Sequence, residues 1–207
     1  NISTSDTFKN LMDLSGEIGS GRLVNVFNIY GSIYYGQTFI VKNNVTLTNF
    51  SFVINKTGSP TGNVTIDIYA ADSDYKPTGS VLATSSIDVT SISSDVMNNF
   101  SFNLQLTADQ RYAAIIKLPD GNSSNRISIY RSDYNYYTLG RMLYSDDGGS
   151  SWTIYNYSAG FKINYTGGGS DDGKIKTNID GTDYDNVSVY PLIPKTSSGD
   201  PDFVNNF

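Results

Sequence analysis

The sequence predicts an all-β protein, an antiparallel two-sheet sandwich of jelly-roll-like order. Good helix formers are scarce. The 207 residues include one Glu (Glu17) and seven Ala, against 45 Ser or Thr and 16 Tyr. Such a balance favours strands and turns. Apolar and polar residues alternate over stretches of strand length, most clearly in Phe50/Phe52/Ile54, Val64/Ile66/Ile68/Ala70 and Phe100/Phe102/Leu104/Leu106. A period of two with one polar face marks a half-buried antiparallel strand. Turn signals recur at roughly 8–12-residue spacing with no helical pattern between them, as in a sandwich.

Taken in order, residues 1–21 form an N-terminal segment of weak periodicity. A short helix is expected over 6–14, with Phe8, Leu11 and Met12 on one face, broken by Gly16, Gly19 and Gly21. The sandwich domain is expected over 22–166. Its strands are predicted at 22–30, 36–42, 46–56, 63–71, 81–89, 98–106, 110–118, 126–131, 141–145, 151–156 and 159–165. Ser59-Pro60-Thr61-Gly62 and Lys76-Pro77-Thr78-Gly79 read as turns, with Pro fixing φ and Gly two residues later. Asp120-Gly121 and Asp147-Gly148-Gly149 read likewise. No internal repeat points to a propeller or solenoid. Thr166-Gly167-Gly168-Gly169-Ser170 has linker composition. The last part, 167–207, is expected as a Gly-rich linker and extended tail. It holds one predicted strand, Asn186 to Tyr190, before Pro191, Pro194 and Pro201.

Composition also excludes functions. Without Cys or His there is no disulfide, no thiolate or imidazole metal site and no Ser-His or Cys-His nucleophile. A net charge of -6 with scattered Lys and Arg does not suit nucleic acid, whose phosphates need clustered cations. No apolar run approaches the roughly 20 residues of a membrane helix, so no transmembrane segment is expected. The chain opens on Asn rather than Met, and is read as a processed, exported protein.

Asn-X-Ser/Thr sequons occur at Asn1, Asn44, Asn49, Asn55, Asn63, Asn99, Asn122, Asn156, Asn164 and Asn186. With 21 Asn in the chain, chance predicts roughly five by the acceptor pattern. Strands rich in Asn and Thr generate some passively; a glycan-coated extracellular surface explains the excess. In the strands around Asn63 and Asn99 the sequon residues oppose the apolar face, where a sugar would leave the core undisturbed.

Several segments carry a family resemblance. In order they are Gly36-Gln37-Thr38-Phe39, Thr46-Leu47-Thr48-Asn49-Phe50-Ser51-Phe52, Lys56-Thr57-Gly58-Ser59-Pro60-Thr61-Gly62 and Ile66-Asp67-Ile68-Tyr69-Ala70-Ala71. Pro77-Thr78-Gly79-Ser80-Val81-Leu82-Ala83-Thr84, Leu106-Thr107-Ala108 and Tyr144-Ser145-Asp146-Asp147-Gly148-Gly149-Ser150-Ser151-Trp152-Thr153 follow. Together they resemble the choice-of-anchor R type of β-sandwich module, found in secreted proteins and in tailed-virus structural proteins. The resemblance implies a jelly-roll-like sandwich similar to carbohydrate-binding modules, and no catalytic residues. Residues 1–35 and 167–207 lie outside it.

Four constellations remain. Ser145-Asp146-Asp147-Gly148-Gly149-Ser150-Ser151-Trp152 fits the Asp-box pattern of sialidases, which is a structural hairpin turn. Asp72/Asp74, Asp146/Asp147 and Asp180/Asp183/Asp185 are candidate Ca²⁺ ligands, since Ca²⁺ takes several oxygen ligands; solvated turns account for them equally well. Tyr130, Tyr134, Tyr136, Tyr137, Tyr144, Tyr155 and Tyr157 form a dense aromatic region. Tyr130, Tyr134, Tyr136 and Tyr137 are its candidate sugar-stacking rings, although Tyr is equally a favoured strand residue. The flanks, including Leu23 to Tyr30, are candidates for adding a strand to a neighbouring subunit, the alternative being that both fold back on their own domain.

The functional expectation is a non-catalytic structural or adhesive subunit of an extracellular surface assembly, such as a cell-surface filament or virion appendage. Its expected partners are further copies or other subunits reached through the terminal arms, with glycans attached. The alternative is a carbohydrate-binding module using the Tyr-rich surface.

Overall fold

The computed structural model describes residues 23–132, 137–167, 175–179 and 182–187. The chain divides into two units, Asn1–Gly169 and Ser170–Phe207. The expected helix over 6–14 lies outside the described residues.

The first unit runs β1 (Leu23–Ile29), β2 (Tyr34–Ile40), β3 (Val45–Thr57), β4 (Asn63–Ala71), β5 (Pro77–Asp88), β6 (Val96–Leu106), β7 (Arg111–Lys117), β8 (Arg126–Ser132), β9 (Met142–Ser145), β10 (Thr153–Tyr155) and β11 (Phe161–Gly167). A single 3-10 turn, Val89–Ser91, follows β5, with the Asp88 carboxylate accepting from Thr90 N. Every strand predicted between 22 and 166 forms, within a few residues at each end.

All pairings are antiparallel, and the strands make the two sheets of a sandwich. One is six-stranded, ordered β10-β9-β2-β7-β4-β5. The other is five-stranded and built around β3. One edge of β3 carries β6, from Val45↔Leu106 to Ile54↔Val96. The opposite edge is shared: β11 pairs with its first half, up to Phe52, and β8 with Ile54 to Thr57. β8 and β11 meet end to end there, joined through Ser132 N to Ser158 O (2.9 Å) and Gly160 N to Tyr130 O (2.9 Å). β1 extends the sheet beyond β8. From β1 to β4 the chain alternates between sheets at each strand, so most core contacts join distant residues.

The alternating apolar positions meet between the sheets. Phe39, Phe50, Phe52, Phe100 and Phe161 are fully buried. Phe50 stacks on Phe161 (centroids 5.7 Å apart, planes at 10°) and tilts against Phe39 (5.4 Å) and Phe52 (5.0 Å). Offset and tilted pairs such as these suit the ring quadrupole.

Three expectations are corrected. The second Pro-Gly turn is not at 76–79. The chain reverses over Asp72–Lys76, where Tyr75 takes φ 68° and the Asp72 carboxylate accepts from Lys76 N (2.8 Å). Pro77 and Gly79 already belong to β5, an edge strand, where a missing N–H costs no ladder bond. The linker begins later than its composition suggested: Thr166 and Gly167 still pair, with Thr46 and Val45. In the second unit, Asn186 and Val187 of the strand predicted at 186–190 belong to a strand that starts earlier, β13 (Thr182–Val187), paired with an unpredicted β12 (Ile175–Ile179), and 188–190 lie outside the described residues. A hairpin partner supplies the ladder that a lone polar strand lacks.

Among the described residues, no helix is long and apolar enough to cross a membrane.

Candidate functional site

The outer face of the five-stranded sheet gathers sequons. Inward Phe50 and Phe100 force their neighbours outward, so Asn49, Ser51, Asn99 and Ser101 share the outer face. Two sequons, Asn49-Phe50-Ser51 and Asn99-Phe100-Ser101, thus lie antiparallel across β3 and β6, with Asn49 opposite Ser101 and Ser51 opposite Asn99. Each sequon's hydroxyl donates to the other's asparagine. Ser51 Oγ reaches Asn99 Oδ1 at 2.5 Å, and Ser101 Oγ reaches Asn49 Oδ1 at 3.2 Å. On the other edge of β3, Asn164 sits directly opposite Asn49.

Asn44, Asn63, Asn99, Asn122 and Asn156 are exposed, and Asn49, Asn55 and Asn164 are half-buried. Asn98, which is buried, is not a sequon. Asn186 lies in β13, and Asn1 lies outside the described residues. Asn44 Oδ1 accepts from Ala108 N (2.8 Å), and Asn122 Oδ1 from Ser124 N and Asn125 N (both 3.0 Å). In Asn44, Asn49, Asn99 and Asn122 the carbonyl oxygen is therefore held, while Nδ2, the atom that carries an N-linked glycan, makes no hydrogen bond to the described residues. Asn28 and Asn125 outside the sequons use Oδ1 alone as well, so this geometry permits glycans without demanding them. Asn55 differs: its Nδ2 donates to Asp95 Oδ1 (2.8 Å).

Among the described residues, no cluster of three or more acidic side chains is arranged to hold a metal ion. Asp72 closes its own turn, and Asp183 and Asp185 are strand positions of β13. Asp180 lies outside the described residues. Asp147 is the hub of the Asp-box turn between β9 and β10. Its carboxylate accepts from Ser145 Oγ (2.8 Å), Ser151 N (2.9 Å) and Ser151 Oγ (2.6 Å). The Ser151 bonds, then that of Ser145, hold its pKa down at about 2. The segment forms the hairpin turn its pattern predicted, with Gly148 and Gly149 at φ 71° and 93°.

Of the four candidate sugar-stacking rings, Tyr130 and Tyr137 fall among the described residues. Tyr137 is a core residue, 2% exposed, edge-on to Phe161 (5.5 Å). Its hydroxyl accepts from Ile40 N (2.9 Å) and donates to Ile40 O (3.3 Å), and burial pushes its pKa up to about 12. A ring this deeply buried, with its hydroxyl bonded twice, is closed to a ligand. Tyr130 is half-buried and donates to the Asp95 carboxylate. That bond raises the Tyr130 pKa and lowers that of Asp95. Tyr134 and Tyr136 lie outside the described residues. Tyr144, Tyr155 and Tyr157 pack in a ladder of rings with Tyr35 and Phe27, at spacings of 4.9 to 6.3 Å.

A different aromatic group lies on the outer face of the six-stranded sheet. Ala71, Ala113, Ile115 and Leu143 form a second apolar cluster there, with Tyr34, Tyr69, Trp152 and Ile154 packed upon it. A pocket of about 150 Å³ opens among Tyr34, Tyr69 and Trp152, rimmed by the glycines of the Asp-box turn. Asp67 and Lys117 also line it. Asp67 is 4% exposed although it faces outward from the sheet. Its Oδ1 accepts from Thr84 Oγ1 (2.7 Å) and its Oδ2 from Lys117 Nζ. Burial alone would lower the Lys117 pKa; the hydrogen bond and charge of Asp67 outweigh it and hold it above the ordinary value. Burial, then the charge of Asp67, raises that of Tyr69. Sequence reasoning missed this group. Asp67 and Tyr69 were legible as the polar face of β4, but only the order β9-β2-β7-β4 brings them beside Tyr34 and Trp152.

Neither protein-family models nor curated proteins give a match to this chain.

Proposed function

We propose that this chain is a non-catalytic structural or adhesive subunit of an extracellular surface assembly, a cell-surface filament or a virion appendage, and that it carries N-linked glycans. The observation that supports this reading is the placement of the sequons. Of the sequon asparagines from Asn44 to Asn164 none is buried, and four hold Oδ1 in place while Nδ2 makes no hydrogen bond to the described residues. The segments quoted for the choice-of-anchor R resemblance point the same way, towards a sandwich module displayed on a surface.

Glycopeptide mass spectrometry of the protein from its native source tests the first part. Hexose-bearing mass additions are expected at Asn44, Asn63, Asn99 or Asn122, with Asn55, whose Nδ2 is engaged by Asp95, left bare. A mass equal to that of the polypeptide alone overturns the glycan assignment. Light scattering of the full chain and of a chain ending at Gly169 tests the second part. Larger species that disappear with residues 170–207 are expected for contact through the arms. A monomer at every concentration is incompatible with an assembly subunit acting alone.

A further inference from the structure

We propose that the pocket among Tyr34, Tyr69 and Trp152 binds one neutral pyranose ring, the terminal sugar of a glycan. Three features of the pocket converge on that ligand.

The walls are aromatic. Tyr34, Tyr69 and Trp152 are each half-buried, so each keeps part of its ring in contact with solvent above the sheet. The C–H face of a pyranose is the apolar surface that such rings cover well. The polar groups beside them are a carboxylate and an ammonium side by side. Asp67 and Lys117 cancel in formal charge, so the pocket selects neither anions nor cations. A carboxylate oxygen beside an N–H donor matches adjacent hydroxyls, each of which donates and accepts. Asp67 has one bond to each oxygen, from Thr84 and Lys117, leaving lone pairs for a ligand hydroxyl. The Lys117 ammonium bonds to Asp67 through one of its three protons. Finally, a volume of about 150 Å³ limits the site to a single ring rather than an extended chain.

Stability alone does not account for this arrangement. Taking a carboxylate and an ammonium out of water costs free energy that apolar residues of similar size would avoid. Asp67 meets that cost on the outside of a sheet, under a group of aromatic rings, where plain polar residues would be hydrated freely. A few convergent polar groups within an aromatic-lined concavity are the usual make-up of a small-molecule site.

Trp152 is the protein's single tryptophan, so intrinsic fluorescence reports this pocket directly. The experiment uses the full chain produced without glycans, which makes it independent of sequon occupancy. The probes are the methyl glycosides of glucose, mannose, galactose and N-acetylglucosamine. At least one is expected to change the Trp152 emission saturably, with a dissociation constant in the millimolar range typical of a single weak site. Tyr69→Ala is expected to weaken that binding by about tenfold, whereas Tyr130→Phe on the other sheet leaves it unchanged. Amide shifts of Gly148 and Gly149 in the unsubstituted chain give a second readout that needs no variant, and they are expected to move with the same midpoint. Absence of saturation and of shifts with all four probes overturns the proposal. So does saturable binding that a folded Tyr69→Ala variant retains in full.

Discussion

Asp147 shows how much a single side chain does in a turn. Three donors converge on its carboxylate, and its pKa falls from 3.8 to about 2. A carboxyl whose pKa is lower in the folded state adds stability above its unfolded value and loses it as pH falls through the folded one. Asp147→Asn is therefore expected to lower the thermal midpoint at neutral pH. The gap to the unsubstituted protein should close as the pH drops from 3.8 towards 2. Calorimetry across that range checks it, and a gap that stays constant down to the lowest pH would show that ionisation plays no part. The turn itself was legible, because Ser, Asp, Gly and Trp occur at fixed offsets and act within one hairpin. The fate of Tyr137 was not legible. Its neighbours Phe161 and Ile40 are remote in sequence, and an aromatic ring with a hydroxyl fits a surface and a core equally well until its partners are known.

Among the elements, β3 carries the pattern that made the fold readable. Its inward residues Leu47, Phe50, Phe52 and Ile54 are fully buried, while Asn49 and Asn55 face out. A slip of one residue would exchange the two sets, so the period-two pattern fixes the register as well as the strand. Phe50 is the centre of the ring cluster. Phe50→Ala is expected to cost about 3–5 kcal/mol, measured as a loss in urea midpoint at unchanged slope. A loss comparable to that of an exposed substitution would contradict the packing described. Strand boundaries were harder to read than strands. Pro77 and Gly79 have the chemistry of a turn, yet the edge position of β5 accommodates them. The tail's β12 was not seen because Lys176, Thr177 and Asn178 follow one another between two Ile, without an alternating apolar face, and its pairing with β13 supplies the order instead.

At the scale of the molecule, the two sheets present different chemistry outward. The five-stranded sheet displays paired sequons, and the six-stranded sheet holds the aromatic pocket. The first was visible in the sequence as motifs. The second depended on strand order, which periodicity does not report. The division into two units also bears on truncation. A chain ending at Gly169 keeps every pairing of β11 and is expected to unfold cooperatively. One ending at Asn156 loses β11 and with it Phe161, and is expected to lack a cooperative transition in urea. If the shorter chain melted as sharply as the longer, β11 would be dispensable to the core.

The shared edge of β3 has a temporal side. β3 is made well before the strands that cover its second edge, which begin at Arg126 and Phe161. Until those residues leave the ribosome, Val45 to Thr57 carries a bare hydrogen-bonding edge and a row of phenylalanines. Such an edge is a template for pairing between chains, and long-range strand closure is slow. Slowing translation after β6 should therefore raise the yield of aggregated chains, and a sugar added to Asn49 during that interval would shield the nascent edge before its own partners arrive.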